Sequence, residues 1–137
     1  MKRLSLLAAV LVISGNALAA ELKVIANSSV SASSVSAEEL KNVFLETSNS
    51  LSDGSHVQPV LAKGGAAHEA FLKRYLDKSD PALQAYYRSL VFTGKAPMPK
   101  ELASDAEIVA YVAKTKGAIG YISADASTAG VKTLTVK

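Results

Sequence analysis

The chain has 137 residues, 49% of them hydrophobic and 20% charged, with no cysteine and a formal net charge of +3. That length supports one domain with a core of its own, and the missing cysteines exclude a disulfide framework. The small charge excess, without a Lys/Arg cluster or an aromatic ladder, gives no support to nucleic-acid binding.

Residues 1–19 read as an export signal. Lys2 and Arg3 form a basic start, Leu4 to Ile13 an apolar stretch, and Ala17-Leu18-Ala19 a small-residue cleavage site. The apolar run is shorter than the ~20 residues a spanning helix needs. Cleavage after Ala19 leaves 20–137 as the expected domain, free of the membrane and placed in a periplasm. Without Lys2 and Arg3, 13 cationic side chains face 12 acidic ones, so the processed chain is close to neutral.

Leu22 to Asn27 alternates as a first strand. A serine-rich loop follows, and Ser36 with Glu39 forms a capping box for a helix that buries Leu40, Val43 and Phe44. Ser52-Asp53-Gly54-Ser55 is a turn, and His56 to Ala62 a second strand. Gly64-Gly65 opens a helix through Ala67, Ala70, Phe71 and Tyr75. Ser79-Asp80-Pro81 restarts the helix with a cap residue and an early proline. Its stripe is Leu83, Tyr86, Tyr87, Leu90 and Val91. Gly94, Pro97 and Pro99 stop it. Ser104 and Glu107 read as a second capping box, before Ile108, Val109 and Val112. Ala118–Ile122 and Val131–Val136 are the last two strands. The order β-α-β-α-α-α-β-β predicts an α/β domain, a mixed sheet of about four strands flanked by helices.

Enzyme chemistry finds little material. Without cysteine, only His56 and His68 could serve a nucleophile as base. Two separate histidines do not make a zinc site, and Gly64-Gly65 is not followed by the Gly-Lys-Ser/Thr of a phosphate-binding loop. No cofactor or metal is expected. The carboxylates Glu69, Asp80, Asp105 and Glu107 sit at helix starts, where they complement the dipole. His56 reads as a solvated turn histidine, and Tyr86 and Tyr87 as packing residues.

Anion binding is the chemistry that remains. A strand running through Lys63 into Gly64, Gly65, Ala66 and Ala67 leaves backbone N–H groups pointing out of a helix start, where an oxyanion is favoured. Lys63 adds charge. Glycine there also has a plainer reading, as turn geometry alone. His68 reads as a surface histidine within reach of the same anion. Ser28 and Ser29, in the serine loop, are hydroxyl donors in the same reading, or simply loop residues.

The ordered blocks Val24-Ile25-Ala26-Asn27, Glu38 to Leu45, Asp53 to Val60, Phe71-Leu72, Tyr86-Tyr87-Arg88, Phe92-Thr93-Gly94-Lys95 and Gly117 to Tyr121 span nearly all of 20–137. This pattern resembles the short, single-domain members of the phosphate ABC transporter substrate-binding family, in the type II periplasmic binding protein superfamily. The resemblance implies a single-lobe domain that binds phosphate or another small oxyanion and works with an ABC permease or another envelope protein. In full-length relatives an Arg-x-x-Gly-Ser-Gly-Thr segment ends four residues before a Phe. Counting back from Phe71 puts its Thr at Ala67, the second Gly at Ala66, the Ser at Gly65 and the Arg at Leu61. The resemblance therefore carries over backbone donors only, which implies weak or partner-assisted binding. The other reading is an interaction or sensor module of an envelope complex that has lost its ligand.

Overall fold

The structure is a computed structural model describing residues 22–137. The expected signal segment 1–19 and its cleavage site lie outside the described residues.

The strands are β1 (Leu22–Ala26), β2 (Ser34–Val35), β3 (Gln58–Ala62), β4 (Lys100–Leu102), β5 (Ala118–Ser123) and β6 (Lys132–Val136). The helices are α1 (Ala37–Phe44), α2 (Ala66–Phe71), α3 (Asp80–Phe92) and α4 (Asp105–Lys114). The sheet order is β2-β6-β1-β5-β3-β4. β1 is antiparallel to both neighbours, whereas β3 runs parallel to β4 and β5. The expected mixed α/β sheet is present, with six strands in place of about four. The two additions, β2 and β4, have two and three residues. A pattern of period two needs more residues than that to show.

Adjacent residues of β5 face opposite layers. A Cβ on Gly120 would stand 3.3 Å from Ile108 Cγ2, so α4 packs closely on that face. Tyr121 points to the other face, stacked on Phe71 at a ring separation of 3.9 Å and 5.8 Å from Phe44. Phe44 meets Phe71 edge-on at 4.7 Å. These rings join Ile25, Leu40, Leu61, Leu76 and Leu83 in one continuous core.

Helix starts follow the local chemistry, with one exception. Ser36 and Glu39 form the full capping box, and Glu39 also accepts from Ser52 N at 2.9 Å. Those backbone donors hold the Glu39 carboxyl below its ordinary pKa. Ser79 caps α3, and proline occupies its first turn. Ser104 accepts from Glu107 N, but the Glu107 carboxylate reaches back to Ala103 N, so the second box is only half formed. α2 continues as a π-helical stretch over Leu72–Leu76 and ends on Asp77 at φ +51°. On α3, Leu83 and Tyr87 are buried, while Val91 is 47% exposed. The helix overhangs the core at its end, so the last member of the expected stripe lies in water.

Gly117 shows why one glycine is needed. It sits at φ +77°, and a Cβ there would come within 2.8 Å of the His56 carbonyl oxygen. Gln58 N also donates to the Gly117 carbonyl, which fixes the turn against β3. Gly117→Ala is expected to destabilise by about 2–3 kcal/mol through left-handed strain and backbone overlap. A denaturant midpoint equal to wild type would contradict this reading.

Candidate functional site

Because β3, β4 and β5 are parallel, their C-terminal ends lie together, and the chain leaves β3 there to enter α2. In open α/β sheets that edge is where ligands collect. Lys63 N donates to Leu102 O at 2.9 Å, which ties the exit of β3 to β4. Lys63, Gly64, Gly65 and Ala66 are exposed, and Ala67 and His68 are buried. Gly65 is the N-cap of α2, at φ 99° and ψ 171°, with no side chain capping the helix. That conformation is essentially restricted to glycine. The first turn of α2 therefore offers backbone donors beside one lysine. The start of α4 at the same edge is already filled by acid: Glu107 accepts from Ala103 N and Asp105 from Ser123 N.

His68 differs from the expectation of a surface residue. It is 2% exposed, and both ring nitrogens are engaged. Nδ1 lies 2.5 Å from Tyr121 Oη, and Nε2 lies 2.8 Å from Asp80 Oδ1. Ala62 N donates to Tyr121 Oη at 3.2 Å. A neutral ring satisfies every group: Nε2–H donates to the carboxylate, and Nδ1 accepts from the tyrosine O–H. Burial pushes the Tyr121 phenol well above its ordinary pKa, so it remains a donor. His68 is thus a buried brace joining α2, β5 and the start of α3, with no nitrogen left for an anion. Asp80 serves this brace as well as its helix dipole. Sequence spacing hides the trio, because Tyr121 stands 53 residues from His68.

Ser28 and Ser29 lie at the other end of the sheet. Register places Ala26 beside Ile119 and Leu22 beside Ser123, so the loop after β1 sits where β5 begins. The exit of β3 sits where β5 finishes. The two loops are separated by about 15 Å of strand. Both serines are exposed, and Ser29 Oγ accepts from Gly117 N at 3.0 Å. The structure does not bring them to the α2 start, because β1 is antiparallel to β5. Asn27, beside them, has a structural role that the sequence reading missed. Its Nδ2 donates to Val112 O and Ala113 O, closing the end of α4, and its Oδ1 accepts from Ser29 N.

Tyr86 and Tyr87 pack as expected, their hydroxyls donating to the Leu45 and Phe44 carbonyls. His56 is exposed, in an isolated bridge to Ser50 just before β3. It lines an open groove of about 210 Å³ with Glu46, Gln58, Pro97 and Met98. Among the described residues no group of three or more His, Cys, Asp or Glu could hold a metal ion. No helix among them is long and apolar enough to cross a membrane.

No family model and no curated protein matches the chain. Solved structures do. A phosphate transport receptor of the ABC type from Vibrio cholerae superposes with a TM-score of 0.63 at 15% identity, over 84% of this chain and 45% of that one. A Clostridium perfringens protein assigned to the phosphate ABC transporter substrate-binding proteins, solved with phosphate bound, gives 0.64 at 15% identity, over 84% and 44%. PstS from Borrelia burgdorferi gives 0.63 at 12% identity, over 85% and 47%. The α/β fold is that of these phosphate receptors. The chain spans less than half of their length, and identity this low establishes the fold alone.

Proposed function

We propose that the chain is an exported, non-enzymatic binding domain, with residues 1–19 removed, that takes phosphate or a similar small oxyanion weakly at the start of α2. The observation that carries this is the uncapped start of α2 at Gly65, with Gly64, Gly65 and Ala66 exposed beside Lys63 at the joint edge of three parallel strands, in a fold whose solved neighbour holds phosphate. The ligand groups are the backbone N–H donors of this turn and the Lys63 ammonium. His68 holds the turn in place from below. Ser28 and Ser29 take no part.

Affinity follows from what is present. Hydrogen bonds involving charged groups contribute about 1.5–3 kcal/mol each, and an exposed site lets water and salt screen them. Two or three such bonds give a dissociation constant on the order of 1 mM. An ABC permease or another envelope protein that covers this edge would exclude water and tighten binding, which is the partner-assisted form of the proposal.

The test is Lys63→Ala combined with Ala66→Asp. Both positions are exposed, so the fold is retained while one positive charge is lost and one negative charge is gained. Amide shifts of the α2 start on phosphate titration are expected to disappear in this variant. Wild-type-like titration would rule the site out.

A second reading, an interaction module without ligand, is favoured by one observation. The only imidazole beside the turn is fully occupied by Tyr121 and Asp80. In that case phosphate leaves the amide spectrum of wild type unchanged.

A further inference from the structure

At the far end of α3, Phe92 is 93% exposed, with Val91 at 47% and Met98 at 43%. Phe92 is the last residue of the helix, on the side opposite buried Leu83. Arg88 lies one turn earlier on the same face and is exposed. Beyond Phe92 the chain reverses at Gly94, φ +69°, and Lys95 N folds back onto Leu90 O. From Pro81 to Lys100 the sequence has Arg88, Lys95 and Lys100 and no Asp or Glu. Among the described residues neither Arg88 nor Lys95 is in an ion pair.

Of the exposed residues next to Phe92 on the helix and its closing turn, Ser89, Thr93 and Gly94 are small and Val91 is aliphatic. A stable protein interface needs about 800 Å² on each side, and one projecting ring with two half-exposed aliphatic side chains and small residues about it falls short of that. Two copies meeting symmetrically through this tip would set Arg88 and Lys95 against the same residues, which is repulsive. A lipid interface needs no preformed pocket. It accepts an aromatic ring at the acyl boundary and cations among anionic headgroups.

We infer that the α3 tip, Phe92 with Arg88 and Lys95, is a reversible anchor for an anionic lipid surface. The tip stands about 18 Å along the helix from Asp80, so the anchor is separate from the oxyanion site and does not depend on it.

The experiment uses residues 20–137, which contain the whole described core and lack the apolar segment that would itself enter a bilayer. The chain has no tryptophan, so Phe92→Trp supplies a unique reporter. Vesicles of phosphatidylglycerol and phosphatidylcholine are expected to shift its emission to the blue, an effect reversed by 0.5 M salt as charges are screened (Debye length about 4 Å). Pure phosphatidylcholine is expected to shift it little. Co-sedimentation with the anionic vesicles is expected to weaken at least tenfold in Phe92→Ser and in Arg88→Glu/Lys95→Glu, with unfolding midpoints unchanged. Unshifted emission at saturating lipid would overturn the inference, as would equal sedimentation of wild type and Phe92→Ser. A blue shift that grows with protein concentration without lipid would also overturn it, in favour of self-association.

Discussion

Phe71→Ala is expected to cost about 3–5 kcal/mol, the usual range for deleting a buried phenyl ring. Phe71 is fully buried, parallel to Tyr121 at 3.9 Å and edge-on to Phe44 at 4.7 Å. It joins α2 to β5 and α1, so three elements lose contact together. Domains of this size are stable by about 5–15 kcal/mol, so the loss removes from about a fifth to nearly all of that stability. A melting temperature lower by about 12–20 °C is the corresponding observation. Phe71→Leu keeps much of the volume and is expected to lose less than about 2 kcal/mol. Equal losses in the two variants would mean that the stacked rings are not the centre of the core.

Tyr121→Phe is expected to cost about 2–4 kcal/mol although it removes one oxygen. The hydroxyl serves two buried partners, accepting from Ala62 N and meeting His68 Nδ1. Losing it leaves a backbone donor and a ring nitrogen without partners, each costing about 1–3 kcal/mol. Adding His68→Ala in a double-mutant cycle separates the shared part, because the two losses overlap at one bond and do not add. Urea midpoints for the four proteins provide the measurement. Strict additivity would show that the contact stabilises nothing.

The parts of this fold legible in the sequence are those set by neighbours within a few residues. Ser36 with Glu39 and Ser79 with Pro81 fix helix starts through local hydrogen bonds, and the structure has both. Leu22–Ala26, Gln58–Ala62 and Ala118–Ser123 fall within a residue or two of their expected bounds. What sequence hides depends on partners brought together by the fold. β2 and β4 exist because β6 and β3 offer them an edge. His68 is buried because Tyr121 arrives from β5. Ser28 and Ser29 leave the candidate site because β1 pairs antiparallel with β5, a direction the residue pattern does not encode. The start of α2 was legible because a glycine pair between a strand and a helix acts through the backbone. Which donors remain free there is set by the fold, in which no side chain caps α2 at Gly65.

The most direct test of the oxyanion proposal is the thermal unfolding of 20–137 against phosphate, sulfate and chloride at constant ionic strength. With a dissociation constant on the order of 1 mM, 30 mM phosphate stabilises by about 2 kcal/mol, a rise of about 8 °C. Solvent exclusion by these salts grows in proportion to concentration, whereas binding adds a logarithmic term, about 1.4 kcal/mol per tenfold rise above the dissociation constant. The account predicts a rise with phosphate that follows this logarithm, a lesser one with chloride, and neither the logarithmic term nor selectivity in Lys63→Ala/Ala66→Asp. A wild-type curve that climbs only in proportion to concentration and does not differ from the variant's would contradict it, and the chain would then be a domain that has kept the receptor fold without the ligand.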